Sequence, residues 1–186
     1  MALTNFAKRI LTKLRESLTI RSKATSSQTP NFNKQLTPLP PTTASVTVNN
    51  VGFAIELWDP KDRKTYTDFE TTGYFPPGAS GYKSKKEALM EGGSKDCLGR
   101  PLRTLQDYMP GSYVSIAVDK KVIPLKSVVY IDGYNKDDSP IVFVACDVGG
   151  AIKGHHIDIC VANEKESFPV TKKNQKVHVV GKVLSF

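Results

Sequence analysis

Between Ile141 and Val161 two apolar runs, Ile141–Cys146 and Ile157–Val161, flank a polar, glycine-rich connection. Both runs are short and β-branched, which predicts strands rather than helices. In the second run Ile157, Ile159 and Val161 share one face, and Asp158 and Cys160 share the other. Similar alternation recurs along the chain. VTVNNVGFAIELWD (46–59) predicts one or two strands with a turn at Asn49–Asn50, and YTDFETTGYF (66–75) predicts another. SYVSIAVD (112–119) and, after a bend at Pro124, SVVYIDGY (127–134) read as strands, and KVHVVGKVLSF (176–186) as a closing one. EKESFPVTKKNQ (164–175) reads as a polar connection. Many short strands with Gly/Pro turns and little helix predict an all-β barrel or sandwich over residues 46–186.

Helical periodicity is confined to two places. Leu3, Phe6, Ala7, Ile10, Leu14 and Leu18 form one face of residues 1–20, with Lys8, Arg9, Lys13 and Arg15 largely elsewhere, so the segment predicts a basic amphipathic helix. It lacks the uninterrupted apolar core of a secretory signal, and no run reaches the ~20 apolar residues of a membrane span. An anionic bilayer, a partner, a delivery machine, and packing on its own domain or on a copy of itself all remain open as its contact. Residues 21–45, rich in Ser, Thr, Pro, Asn and Gln, predict a linker. The second helical pattern, KSKKEALMEG (83–92), lies in a loop-rich insertion over 82–110 whose Glu91, Gly92, Gly93 and Asp96 suit either a cleft rim or a surface loop.

Charge sharpens this division. The 186 residues carry a net +8, yet residues 1–46 hold seven Lys/Arg and one Glu, so most of the excess lies in the arm. The folded part is nearly balanced, which argues against nucleic acid as its partner. Three cysteines, Cys97, Cys146 and Cys160, have no metal-ligand spacing. Cys146 and Cys160 fall in predicted strands, where free thiols pack as small hydrophobes, and a bond between them stays open. Trp58 is expected to pack in the core or at an edge, with sugar stacking as its alternative, and His178 to be packed or exposed rather than catalytic.

The chemistry concentrates around the glycine connection. Asp147 ends the first run and Asp158 sits inside the second, and an ionised carboxylate among strand apolars is rare without a partner. Between them lie Gly149, Gly150 and Gly154, which allow either close backbone approach or simple turns, together with Lys153, His155 and His156.

The string DVGGAIKGHHID (147–158) resembles the signature of the three-aspartate (3D) domain family, found in membrane-bound lytic transglycosylases and in small cell-wall enzymes of spore formers and phages. The family's upstream aspartate corresponds to Asp119 in AVDKKVIPLKSVVYIDGY (117–134), with NKDDSP (135–140) as an insertion at a hairpin tip. Thr72, Gly73 and Tyr74 loosely resemble a segment that lines the family's cleft. The resemblance covers about residues 68–183 and implies a six-stranded double-psi β-barrel with loop insertions.

It further implies a peptidoglycan lytic transglycosylase, which cuts between N-acetylmuramic acid and N-acetylglucosamine and leaves a 1,6-anhydro sugar. Asp158 would be the single general acid/base, with Asp119 and Asp147 raising its proton affinity by like-charge crowding. Lys153, Gly149, Gly150, Thr72, Tyr74 and His155 would meet the glycan. Three carboxylates could also hold a hard cation, but neither spacing nor loop resembles an EF-hand and this reaction needs no metal, so no cofactor is implied. The competing expectation is a wall-binding module with little or no bond cleavage. Either would act at the bacterial wall, delivered by a virion, at lysis or by a secretion apparatus.

Overall fold

The strands close on themselves because β10, Lys172–Ser185, is hydrogen-bonded along both edges. The computed structural model describes residues 45–48, 53–77 and 93–186. The expected arm helix (1–20), the linker through residue 44, the turn at Asn49–Asn50, the helix over 83–92, and Glu91 and Gly92 lie outside the described residues.

Within them the order is β1 (Ser45–Val48), β2 (Phe53–Leu57), β3 (Lys64–Tyr74), β4 (Val114–Val118), β5 (Ser127–Ile131), β6 (Asn135–Lys136), β7 (Ser139–Pro140), β8 (Phe143–Asp147), β9 (His156–Cys160), helix α1 (Glu164–Val170) and β10. Strands β10, β3, β9, β4, β8 and β5 pair in that sequence, and β5 returns to β10. The expected fold class, a closed six-stranded all-β barrel with loop insertions, is the one formed. Closure removes the free edges that would otherwise invite pairing with other chains. The contacts of β3 with β9 and of β4 with β8 are parallel.

Alternation explains what fills the barrel. Val114, Ile116 and Val118 from β4, Phe143 and Ala145 from β8, Ile157 and Ile159 from β9, and Val177 and Val179 from β10 pack into one buried cluster with Phe69. Each such Val, Ile or Phe contributes roughly 1.5–3 kcal/mol by leaving water. A second cluster lies on the outer face of β5, β8 and β10, where Val128, Val144, Cys146, Val180 and Val183 pack with Ile55 of β2 and with Tyr113. There β2 crosses β10 so closely that a Cβ on Gly181 would stand 2.1 Å from the Glu56 carbonyl oxygen. The insertion NKDDSP forms the β6–β7 hairpin, with Asp137 and Asp138 both at positive φ, as a two-residue primed turn requires.

Residues 164–170 correct the sequence reading of a polar connection, because they form α1. Asn163 caps it by accepting from Lys165 N at 3.0 Å, and Glu166 stands three residues on. The helix buries only Val170, so it has no apolar periodicity to reveal it. Tertiary contacts hold it instead. A Cβ on Gly73 of β3 would lie 2.8 Å from Ser167 Cα, and the Thr71 hydroxyl donates to the Val170 carbonyl at 2.6 Å.

Gly181→Ala should destabilise the fold by about 1–3 kcal/mol, because backbone must move to admit the methyl. Gly150→Ala, where a Cβ meets nothing within 4 Å, should stay within about 0.5 kcal/mol of the parent. Denaturant midpoints measure both, and equal losses would show that the β2–β10 crossing is not the constraint described.

Candidate active site

Four neighbouring strands place their site residues in one row. Thr72 of β3 is in register with Asp158 of β9, Asp158 with Ala117 of β4, and Ala117 with Asp147 of β8. The row lies on the barrel's outer face, since Ile116, Ile157 and Ile159 point inward. Strands lie about 4.8 Å apart, so the backbones of Asp147 and Asp158 are separated by roughly 10 Å with a methyl group between them.

Asp147 reaches this row through a bulge. Ile116 pairs with Ala145, but Ala117 pairs with Asp147, leaving Cys146 as an extra residue in β8. Ala145 packs inside the barrel, so unbroken alternation would have turned Asp147 inward too. The extra residue re-aims it to the outer face.

Strand β3 supplies a hydroxyl to each carboxylate. Thr72 Oγ1 lies 2.7 Å from Asp158 Oδ1, and Tyr74 Oη donates to Asp147 Oδ2 at 3.3 Å. Both come from one face of β3, two residues apart. Burial raises the Tyr74 phenol well above its ordinary range, so it stays a donor. Asp147 Oδ1 accepts from Val148 N at 2.9 Å and from Cys97 N at 3.1 Å. Burial pushes its carboxyl up, these hydrogen bonds oppose the shift, and the Asp96 charge adds to it.

Asp119 behaves in the opposite way. It follows β4, two residues past Ala117, and accepts from Gly154 N at 2.9 Å and Lys121 N at 3.0 Å. Those two bonds hold its carboxyl below the ordinary range, aided by the charges of Lys153 and Lys121. It therefore clamps the glycine loop as an anion. Gly154 has φ +63°, a conformation that favours glycine. At Gly149 a Cβ would lie 2.7 Å from Ile152 Cγ1, whereas Gly150 is open.

The remaining candidates separate. Lys153 is exposed beside Asp119. His155 lies on the other face, stacked on Phe69 at 4.7 Å with Nδ1 3.2 Å from Asp68 Oδ1. Asp96 is buried and paired with Arg100 at 2.7 Å, and it shapes the turn that presents Cys97 N. Gly93 has φ +81° with open space around it. Cys146 and Cys160 are buried free thiols, with β4 between their strands. Trp58 packs on the main cluster, and His178 bonds Thr65 at 2.9 Å and Asp132 at 3.0 Å. Two contributors were given no role from the sequence. The Cys97 N–H carries no sequence signal, but His156 does, since it stands two residues before Asp158 and so on the same face. His156 Nε2 lies 2.9 Å from Thr72 Oγ1.

Residues 114–181 match the family model of the 3D domain, so the resemblance read from DVGGAIKGHHID holds over that segment. The chain is similar to the cell wall-binding protein YocH of Bacillus subtilis (strain 168), with 46% identity over 52 residues, covering 28% of this chain and 16% of that protein. It is also similar to the putative cell wall shaping protein YabE of the same organism, 35% identical over 65 residues and covering 35% of this chain and 14% of that one. The chain thus spans only a small part of either relative. Among solved structures, the lytic transglycosylase MltA of E. coli aligns with a TM-score of 0.34 and 24% identity, over 47% of this chain and 27% of that one.

The two shifted carboxylates predict opposite pH effects. The native pKa of Asp147 is raised, so its ionisation costs stability as pH rises through the carboxylate range, about 4 and above. Asp147→Asn should make the protein more stable at pH 7, and the gain should vanish at pH 3. The native pKa of Asp119 is lowered, so its contribution is present above about pH 4 and lost as pH falls. Asp119→Asn should therefore destabilise at pH 7 and converge with the parent in acid. Denaturant midpoints at pH 3, 5 and 7 would refute this if both variants moved the same way.

Proposed function

We propose that this chain cleaves peptidoglycan glycan strands as a lytic transglycosylase, with Asp158 as its single general acid/base. The observation that carries the reading is the outer-face row, in which Asp158 and Asp147 flank a small residue and each bonds a hydroxyl from β3. The 3D-domain match over residues 114–181 and relatives named for the cell wall support peptidoglycan as the partner. The site of action would be the bacterial wall.

In this mechanism protonated Asp158 gives its proton to the glycosidic oxygen between N-acetylmuramic acid and N-acetylglucosamine. The C1–O bond breaks with its electron pair going to that oxygen, and an oxocarbenium-like centre develops. The C6 hydroxyl of the same muramic ring attacks C1 and passes its proton to the Asp158 carboxylate. A 1,6-anhydro ring results, the enzyme regains its starting state, and no water is consumed. Ala117 leaves room beside Asp158 for a sugar ring. Asp147 holds the Cys97 turn against the row, and Asp119 holds the glycine loop. Exposed Lys153, the loop backbone at Gly149 and Gly150, Thr72 and Tyr74 would meet the glycan.

The second reading is a wall-binding module that does not cut, favoured by the name of the relative that shares 46% identity. There the two carboxylates would be polar contacts along the face.

Incubation with purified sacculi separates the readings. The enzyme should release 1,6-anhydromuropeptides, and Asp158→Asn should lower the rate at least ~100-fold, the scale of a lost general acid, while retaining the parent's unfolding midpoint. Reducing-end products alone would mean hydrolysis. Sedimentation with sacculi and no soluble product, unchanged in Asp158→Asn, would establish the binding module.

A further inference from the structure

His156 is not needed for either reading, yet it enters the row from the side. Its partner in register on β3 is Glu70, and Thr72 and Asp158 form the next pair. Thr72 Oγ1 stands 2.9 Å from His156 Nε2 and 2.7 Å from Asp158 Oδ1, so three side chains from two strands form one hydrogen-bonded chain.

A threonine hydroxyl has a single proton, which limits the states of this chain. If Thr72 donates to Asp158 Oδ1, it accepts from His156, whose Nε2 must then carry hydrogen. If Thr72 donates to a bare His156 Nε2, its own oxygen must be met by a protonated Asp158 Oδ1. The two ends are therefore linked through one hydroxyl. The geometry points to His156 as a positioning residue for Asp158: its Nε2–H aims the Thr72 proton at Oδ1, which stabilises the carboxylate left after proton transfer. The transferable proton of Asp158 is then not on Oδ1. This role deepens the transglycosylase reading and rests on it for its catalytic part, whereas the linkage of His156 to Asp158 does not.

Other charges also face His156. Glu70 lies opposite on β3, and Asp158 is two residues along β9. Asp119, beside Lys121 and Lys153, follows β4. Any test must separate coupling through Thr72 from these fields, and a double-mutant cycle does so because the Glu70 and Asp119 charges are common to every corner and the direct field of Asp158 is removed equally in both Thr72 backgrounds. His156 is titrated by imidazole nitrogen and carbon NMR in the full chain, in Asp158→Asn, in Thr72→Val and in the double variant.

Asp158→Asn should lower the His156 midpoint by about half a pH unit or more, as loss of a hydrogen-bonded anion does. In the Thr72→Val background the same change should have less than about half that effect. Equal shifts in both backgrounds, no shift, or a neutral His156 with hydrogen on Nδ1 in the parent would overturn the linkage. The catalytic part is read on sacculi. His156→Leu should lower kcat about tenfold with KM held, moving the alkaline limb of the pH profile upward, and His156→Gln, which still donates, should recover most of the rate. A parent-like profile in His156→Leu would overturn it. A parent with no sacculus cleavage removes the transglycosylase reading and this catalytic role together, and leaves the NMR cycle to judge the linkage alone.

Discussion

One extra residue in β8 decides where the chemistry of this face can occur. Pairing of β4 with β8 slips at Cys146, so Asp147 meets Ala117 on the outer face instead of following Ala145 into the barrel. An ionised carboxylate inside that apolar cluster would carry a desolvation cost far beyond what a single ordinary hydrogen bond offsets. The bulge avoids this and sets Asp147 in line with Asp158, across a residue too small to fill the space between them. Barrel closure makes the arrangement rigid, because β9 is hydrogen-bonded to β3 on one side and to β4 on the other.

Asp119 and Asp147 are tuned in opposite directions. Asp119 is held as an anion by two backbone N–H groups, while Asp147 is pushed toward its neutral form mainly by burial. Among the described residues no group of three or more His, Cys, Asp or Glu side chains is close enough to hold a metal ion. One carboxylate organises the loop, one organises the rim at Cys97, and hydroxyls from β3 reach the pair in the row.

That division depends on parts remote from the carboxylates. Helix α1 packs on Gly73, between Thr72 and Tyr74, and so braces the strand that presents both hydroxyls. Its last carbonyl, at Val170, has no helical partner and takes hydroxyls from Thr71 and Tyr134 instead. The Asp96–Arg100 pair fixes the turn that offers Cys97 N to Asp147. The helix contacts are tertiary, whereas the Asp96–Arg100 pair is local, four residues apart.

The sequence by itself determined most of the strands and, away from the slip at Cys146, the face their residues take, because a period of two is a local property of the pleat. It marked Asp158, with Ile157 and Ile159, as a polar position on a buried strand, and the glycine connection as the place where backbone would bend unusually. It also carried Thr72 and Tyr74, though only through likeness to a family. What it could not determine was which strands lie side by side. The parallel pairing of β3 with β9, the slip at Cys146, the packing of the helix over Glu164–Val170 on Gly73 and the Cys97 contact all join residues far apart in the chain. Such pairings are chosen by the free energy of closing and packing the whole barrel, to which no short stretch of residues has access.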